Sequence, residues 1–260
     1  MTSPGFTSSL GYIAVGWRLV RTKGLRRFVW MPLLINILVF GLLGWWLNTL
    51  ATQWLASWSL FSSLGDWWIF RALETLLRWL FTLVMLFSLA YLFTLLANLI
   101  GAPFNGLLSE RVEAHLRGHV RETTPSWLSL VKSVPRVMMS ELSKLFYLVL
   151  CLTPLIILQF VPLINIIAPA LLFLFGAWMF ALEYMDYPMG NHGLLFKDVR
   201  KRMRRNRRVA YGFGSGVALL STIPVINLFI MPVAVAGATA LYVDYLGDTD
   251  ATHTAQTQGV

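Results

Sequence analysis

Long apolar runs separated by short basic segments make up most of this chain. From Phe28 to Leu50 there are 23 residues without a charge, and from Trp79 to Ile100 another 22. At about 1.5 Å of rise per residue, either run crosses the roughly 30 Å hydrocarbon core of a bilayer, so 28–50 and 79–100 are predicted to be full transmembrane helices. Ahead of them, residues 8–23 set Leu10, Ile13, Trp17 and Val20 at helical spacing with Arg18, Arg21 and Lys23 on other faces. That pattern predicts a helix lying in the headgroup region. Between the two spans, residues 51–71 are rich in Trp, Ser and Leu and carry only Asp66 and Arg71 as charges, which reads as an aromatic interfacial belt.

The pattern changes over 105–144. Leu108, Val112, Leu116 and Val120 recur every fourth residue against Glu110, Arg111, Glu113, Arg117 and Arg121, predicting an amphipathic helix. A second helix is expected to follow, with Thr124 as its N-cap and Pro125 at its first position. The last two apolar blocks, 145–185 and 209–246, exceed one span each and are broken near the middle by similar strings, "VPLINIIAP" (161–169) and "IPVINLFIMP" (223–232). "MPLLIN" (31–36) and "APFN" (102–105) are looser echoes. Proline removes a backbone donor and asparagine offers an amide to the freed carbonyls, so Pro162 with Asn165, and Pro224 with Asn227, are predicted to mark the turns of two helical hairpins. The tail 247–260 is expected to be disordered. The predicted fold is an all-α integral membrane protein, one membrane domain over 1–260.

Composition agrees with that pattern. The chain is 57% hydrophobic and only 13% charged, which excludes an ordinary soluble globule. Its net charge of +9 does not point to nucleic acid, because the basic residues flank apolar segments: five in 18–27, six in 111–144 and eight in 197–208. Two spans and two hairpins bring these clusters to one side, which the positive-inside rule makes cytoplasmic. Cys151 is the single cysteine and has no partner for a disulfide. No secretory leader is expected, since the first apolar run is longer than such a segment and no small-residue cleavage site follows.

Candidate chemistry is sparse. No phosphate-cradling G-x-x-x-x-G-K-[ST] string occurs, and "GFGSG" (212–216) reads as close helix packing. His115 and His119 in "HLRGH" have a metal-compatible spacing, with Glu113 or Glu122 as a third ligand, but a solvated helix face accounts for them better. No catalytic nucleophile motif and no cofactor motif appears, so an enzyme is not expected. "KDVRKRMRRNRR" (197–208) either orients the hairpins or attracts anions and anionic lipid, and Glu183 and Asp186 either mark a hairpin exit or pair with basic neighbours. Glu110, Arg111, Glu113, Arg136 and Glu141 form either a salt-bridged surface or the lining of an aqueous path. "TKGLRRFVWMPLLIN" (22–36) also has two readings. Arg26 and Arg27 could snorkel to lipid phosphates as anchors, or they could join the N–H groups of a helix N-terminus in holding an anion.

Taken in order, "GLRRFVWMPLLIN", "APFNGLLSERVE", "ALEYMDYPMGNHG" and "IPVINLFIMPVAVAGAT" resemble the CysZ family of bacterial sulfate transporters over most of the chain. The resemblance implies a multi-pass protein of the bacterial inner membrane, a homo-oligomer in the lipid bilayer that takes up sulfate for cysteine synthesis without an ATPase subunit. It places the sulfate-binding motif on Gly24, Leu25, Arg26 and Arg27, and a polar path at Glu110, Arg111 and Glu113. Another oxyanion such as sulfite or thiosulfate, or a membrane scaffold recruiting a soluble partner, remains the alternative.

Overall fold

Prolines alone do not stop the helices of this chain: Pro32, Pro188 and Pro232 lie inside them. The computed structural model describes residues 5–57, 67–118 and 127–247, and every element among them is helical. These are α1 (Phe6–Val20), α2 (Arg26–Ser57), α3 (Trp68–Arg117), α4 (Trp127–Leu158), a single tight turn at Ile164–Ile166, α5 (Ala168–Asn191), α6 (Phe196–Arg205), α7 (Arg207–Ser221) and α8 (Pro224–Leu241), which ends in a wider turn, Tyr242–Leu246. Five helical segments are long and apolar enough to cross a membrane: Arg26–Leu50, Trp68–Phe93, Met139–Leu158, Ala168–Asn191 and Pro224–Leu246. Of the belt expected at 51–71, residues 51–57 end α2 and 68–71 open α3, so helix replaces belt there, while 58–66, the helix start expected at Thr124 and Pro125, and the tail from 248 lie outside the described residues.

Two boundaries differ from expectation. The second apolar helix begins at Trp68 rather than Trp79, and its backbone stays helical through Pro103 to Arg117, so no break separates it from the amphipathic stretch. Likewise the helix of "MPLLIN" continues past Pro32. An isolated proline costs one backbone hydrogen bond, which a long apolar helix tolerates; at the two turns described next, a proline instead opens the following helix, Pro169 in α5 and Pro224 in α8.

Both reversals fall where the repeated strings are. Between α4 and α5 the chain turns through Phe160–Ile167, with Leu163 in the left-handed region at φ 69°. Between α7 and α8 it turns through Thr222 and Ile223, and Pro224 opens α8. The asparagines do not do what was expected of them. Their backbone amides bond the oxygens of Val161 and Ile223, at 3.0 and 2.8 Å, while the side chains are exposed and make no hydrogen bond to described residues. At the second turn the Leu220 oxygen, four residues before Pro224, accepts from the Ile223 N–H at 3.2 Å, and hydroxyls bond neighbouring carbonyls: Ser221 Oγ donates to the Val217 oxygen at 2.8 Å and Thr222 Oγ1 to that of Leu219 at 2.7 Å. A hydroxyl one or two bonds from the backbone reaches the last helical carbonyls more directly than an amide beyond the turn. Asn165→Leu and Asn227→Leu are accordingly expected to shift stability by less than about 0.5 kcal/mol, as surface changes do, in thermal unfolding of the purified protein.

The chain divides into two compact units, residues 1–29 with 105–260, and residues 30–104. In the larger, α1, α5, α7 and α8 pack around small residues. Ser9, Ile13, Gly16 and Leu19 are the buried face of α1, one position off the expected Leu10–Val20 stripe, and Leu10 is exposed. The reason is backbone proximity: a side chain at Gly16 would meet the Val233 oxygen and Gly237 of α8. Residues Val233–Leu241 of α8 are buried throughout. Tyr12 of α1 donates to Asp244 Oδ2 at 2.6 Å, and burial, then that carboxylate, raise its pKa so that it keeps its proton. Leu108 and Val112 are fully buried, as their spacing predicted, whereas Leu116 of the same stripe is exposed and Val120 lies outside the described residues; the Ser109 hydroxyl, next to Leu108, bonds that of Thr239 at 2.8 Å. In the smaller unit, Phe40 of α2 and Phe93 of α3 pack with ring centres 5.1 Å apart and planes tilted by 44°, and most large apolar side chains face outward, as in a unit solvated by lipid.

Candidate functional site

The segment between α1 and α2 is a tight turn. Thr22 N–H bonds the Leu19 oxygen at 3.0 Å, Thr22 Oγ1 donates to the same oxygen at 2.7 Å, and Leu25 N–H reaches back to Thr22 at 3.3 Å. Gly24 sits at φ 96°, a conformation that side chains disfavour, although a Cβ there would meet nothing within 4 Å. Glycine is therefore required by the turn rather than by a close approach. Leu25 is buried at 5% exposure and pins the turn to the core, so α2 begins at Arg26 in a fixed place.

The first-turn amides of α2, including those of Arg26 and Arg27, lack intrahelical acceptors by construction, and the helix dipole adds positive potential there. Both arginine side chains are exposed, and neither has a carboxylate within 4.0 Å among the described residues. The Arg27 guanidinium lies 4.9 Å from the ring centre of Phe28, which limits its rotamers. Nearby, Arg21 lies over the Trp17 ring at 5.1 Å. The result is an outward-facing cationic helix end whose two planar forks can each bond an oxyanion in pairs.

The candidates for a polar path do not form one group. Glu113 accepts from Arg117 Nε at 2.8 Å, and His192 Nε2 lies 2.9 Å from the same carboxylate. Glu141 instead belongs with Lys144, at 3.1 Å. Glu110 is half-buried and Arg111 exposed, without ion pairs among the described residues, and the side chain of Arg136 lies outside them. No cluster of three or more potential metal ligands occurs among the described residues. His115 is exposed, and His119 and Glu122 fall outside the description.

Lys144 is the residue that the sequence did not single out. Its ammonium group, on α4, is buried and lies 3.0 Å from both Glu183 Oε2 and Asp186 Oδ2 of α5, in addition to Glu141. Glu183 and Asp186 thus pair with a basic neighbour, as one of their two readings held. A charge inside a spanning segment is the signal that points to such a residue, but its partners are 39 and 42 positions away and depend on helix register. Beside the cluster, Asn105 Nδ2 lies 3.4 Å from the Tyr187 hydroxyl, and Asn191 Nδ2 donates to the Gly106 oxygen at 3.2 Å, joining α3 to α5.

Comparison with known proteins adds to this geometry. The family model described as sulfate transporter CysZ/etoposide-induced protein 2.4 matches residues 12–232. Over 238 residues the chain is 45% identical to the sulfate transporter CysZ of Salmonella typhimurium, an alignment covering 91% of this chain and 92% of that protein. Over 248 residues it is 43% identical to the sulfate transporter CysZ of Pectobacterium atrosepticum, covering 94% and 88%.

Proposed function

Since the chain belongs to the sulfate transporter CysZ/etoposide-induced protein 2.4 family, we propose that it is a multi-pass sulfate permease, not an enzyme, and that Gly24–Arg27 is where it receives the anion. The observation that carries the site is the pinned turn at the start of α2, which presents two guanidinium groups without a carboxylate partner among the described residues, beside open backbone N–H donors. Two formal positive charges match the double negative charge of sulfate, and each fork can bond two of its oxygens. The protein resides in the bacterial inner membrane, assembles from copies of itself and supplies sulfate for cysteine synthesis. Glu110, Arg111 and Glu113 of α3, with Arg136, contribute polar groups along the anion's route, whereas Glu141 belongs to the Lys144 cluster. The same forks accept sulfite or thiosulfate, because they read charge and oxygen geometry more than the central atom.

Lysine replacement separates binding from anchoring. Lysine keeps the charge and the snorkelling stem but loses the planar fork, so R26K/R27K is expected to insert and fold like the parent. Binding of radiolabelled sulfate by the purified variant should fall several-fold, with a matching loss of uptake into proteoliposomes. Parental sulfate binding by the double variant would make the arginines anchors. A purified parent that moves no oxyanion at all would favour the scaffold reading.

A further inference from the structure

The basic segment 197–208 folds into α6 and the first turn of α7, and its placement creates a groove that the transport reading does not use. On α6, Phe196, Val199 and Met203 turn into the core, and the Phe196 N–H donates to Ser140 Oγ of α4 at 3.1 Å. Asp198 caps the same end, accepting from the Leu195 N–H at 3.2 Å. With α6 held in this way, a cavity of about 450 Å³ opens between it and α4. One wall is apolar: Leu142, Phe146 and Leu150 follow one another at intervals of one helical turn, all exposed, with Phe146 at 71%. The other wall is cationic, formed by Lys197 and Arg200. The Arg200 guanidinium lies 4.8 Å from the ring centre of Tyr147, so it is held in place, and among the described residues neither cation has a carboxylate within 4.0 Å.

We propose that this groove binds one anionic phospholipid, its phosphate on Lys197 and Arg200 and an acyl chain along Leu142, Phe146 and Leu150. Charge complementarity selects the headgroup: α6 holds six basic residues and one acid in ten positions, and a phosphodiester forms charge-assisted bonds with such a pair. The apolar wall selects a lipid over a free anion, since only a lipid adds an acyl chain along Phe146 and Leu150 to the contacts of its phosphate. It lies in Met139–Leu158, a segment long and apolar enough to span, while the cations lie just beyond the end of α5, which is the level of a phospholipid headgroup. A preformed, stacked arginine gives such a site more selectivity than scattered snorkelling lysines would have.

The full-length protein, purified in detergent, is titrated with phosphatidylglycerol and with phosphatidylcholine of the same acyl chains. Bound lipid is counted by native mass spectrometry and thermal unfolding is followed in parallel. Phosphatidylglycerol should be retained as an additional lipid per chain and raise the melting temperature, and glycerol phosphate alone should do neither. Lys197→Gln, which leaves the Arg200–Tyr147 stack intact, should weaken retention several-fold. R204Q/R205Q, on the same helix but outside the groove, should retain lipid like the parent. Equal retention of the two lipids, equal losses in the two sets of variants, or stabilisation by glycerol phosphate alone would each overturn the proposal. So would a cross-link through a cysteine placed at Phe146 that joins two copies and excludes lipid.

Discussion

Replacing Lys144 by methionine is expected to destabilise the protein by about 3 kcal/mol, the lower end of the cost of breaking a buried ion pair by removing one partner. The ammonium is the only cation within 4.0 Å of the Glu183 and Asp186 carboxylates among the described residues, and it joins α4 to α5. Without it, two carboxylates and the nearby Glu141 face one another with no countercharge. Glu141 and Glu183 retain enough solvent contact to moderate the repulsion, which is why the lower end of the range applies. Thermal unfolding of the K144M variant measures the cost. Adding Glu183→Gln and Asp186→Asn should recover much of it, since an unpaired charge is worse than an unpaired dipole. A K144M protein that melts with the parent would show that the cluster does not hold the helices together.

A comparable loss is expected when a methyl group is added at Gly214. Its Cβ would fall on the Ala177 carbonyl of α5, and a backbone oxygen cannot swing aside as a side-chain tip can. Gly214→Ala must therefore part α5 from α7 and is expected to cost about 1–3 kcal/mol, the range for overpacked cores. Gly176→Ala, one residue from the same contact, is the control: nothing lies within 4 Å of a Cβ built there, and alanine is the better helix former by about 1 kcal/mol. Melting temperatures that fall for both variants, or for neither, would mean that close approach at Gly214 does not limit the packing.

How much of this was legible depended on whether the deciding interaction was local. The two reversals were readable from the strings around Pro162 and Pro224, since proline acts on its own stretch of backbone, and Leu108 and Val112 were readable as a buried pair from their spacing. The all-helical class and the long apolar helices followed from run lengths. The buried face of α1 was not readable, because hydrophobicity favours Leu10 while the packing favours Gly16, and a glycine carries no sign of the backbone it will meet. Pro103 misled for the opposite reason: a local signal for a break was overridden by the helix on both sides of it. At the candidate site, the string from Gly24 to Arg27 stood out as a motif, but that glycine serves the turn's φ rather than ligand access emerged only from the backbone. Lys144 was hidden because its partners come from another helix.

The second hairpin has arms of unequal reach, and this ties the protein to its lipids. α7 has 15 residues, about 22 Å, and starts at Arg207 and Arg208, whose charges belong at the water surface. The tip at Ile223, flanked by exposed Val225 and Leu228, then ends about 8 Å short of the far boundary of a 30 Å hydrocarbon core. The other arm, α8 with its closing turn, runs 23 residues from Pro224 to Leu246 and has no such shortfall. Hydrophobic mismatch is thus expected at the tip of this hairpin, where the leaflet thins to meet it. Acyl chain length becomes a load on that hairpin, lighter in a thin bilayer and heavier in a thick one.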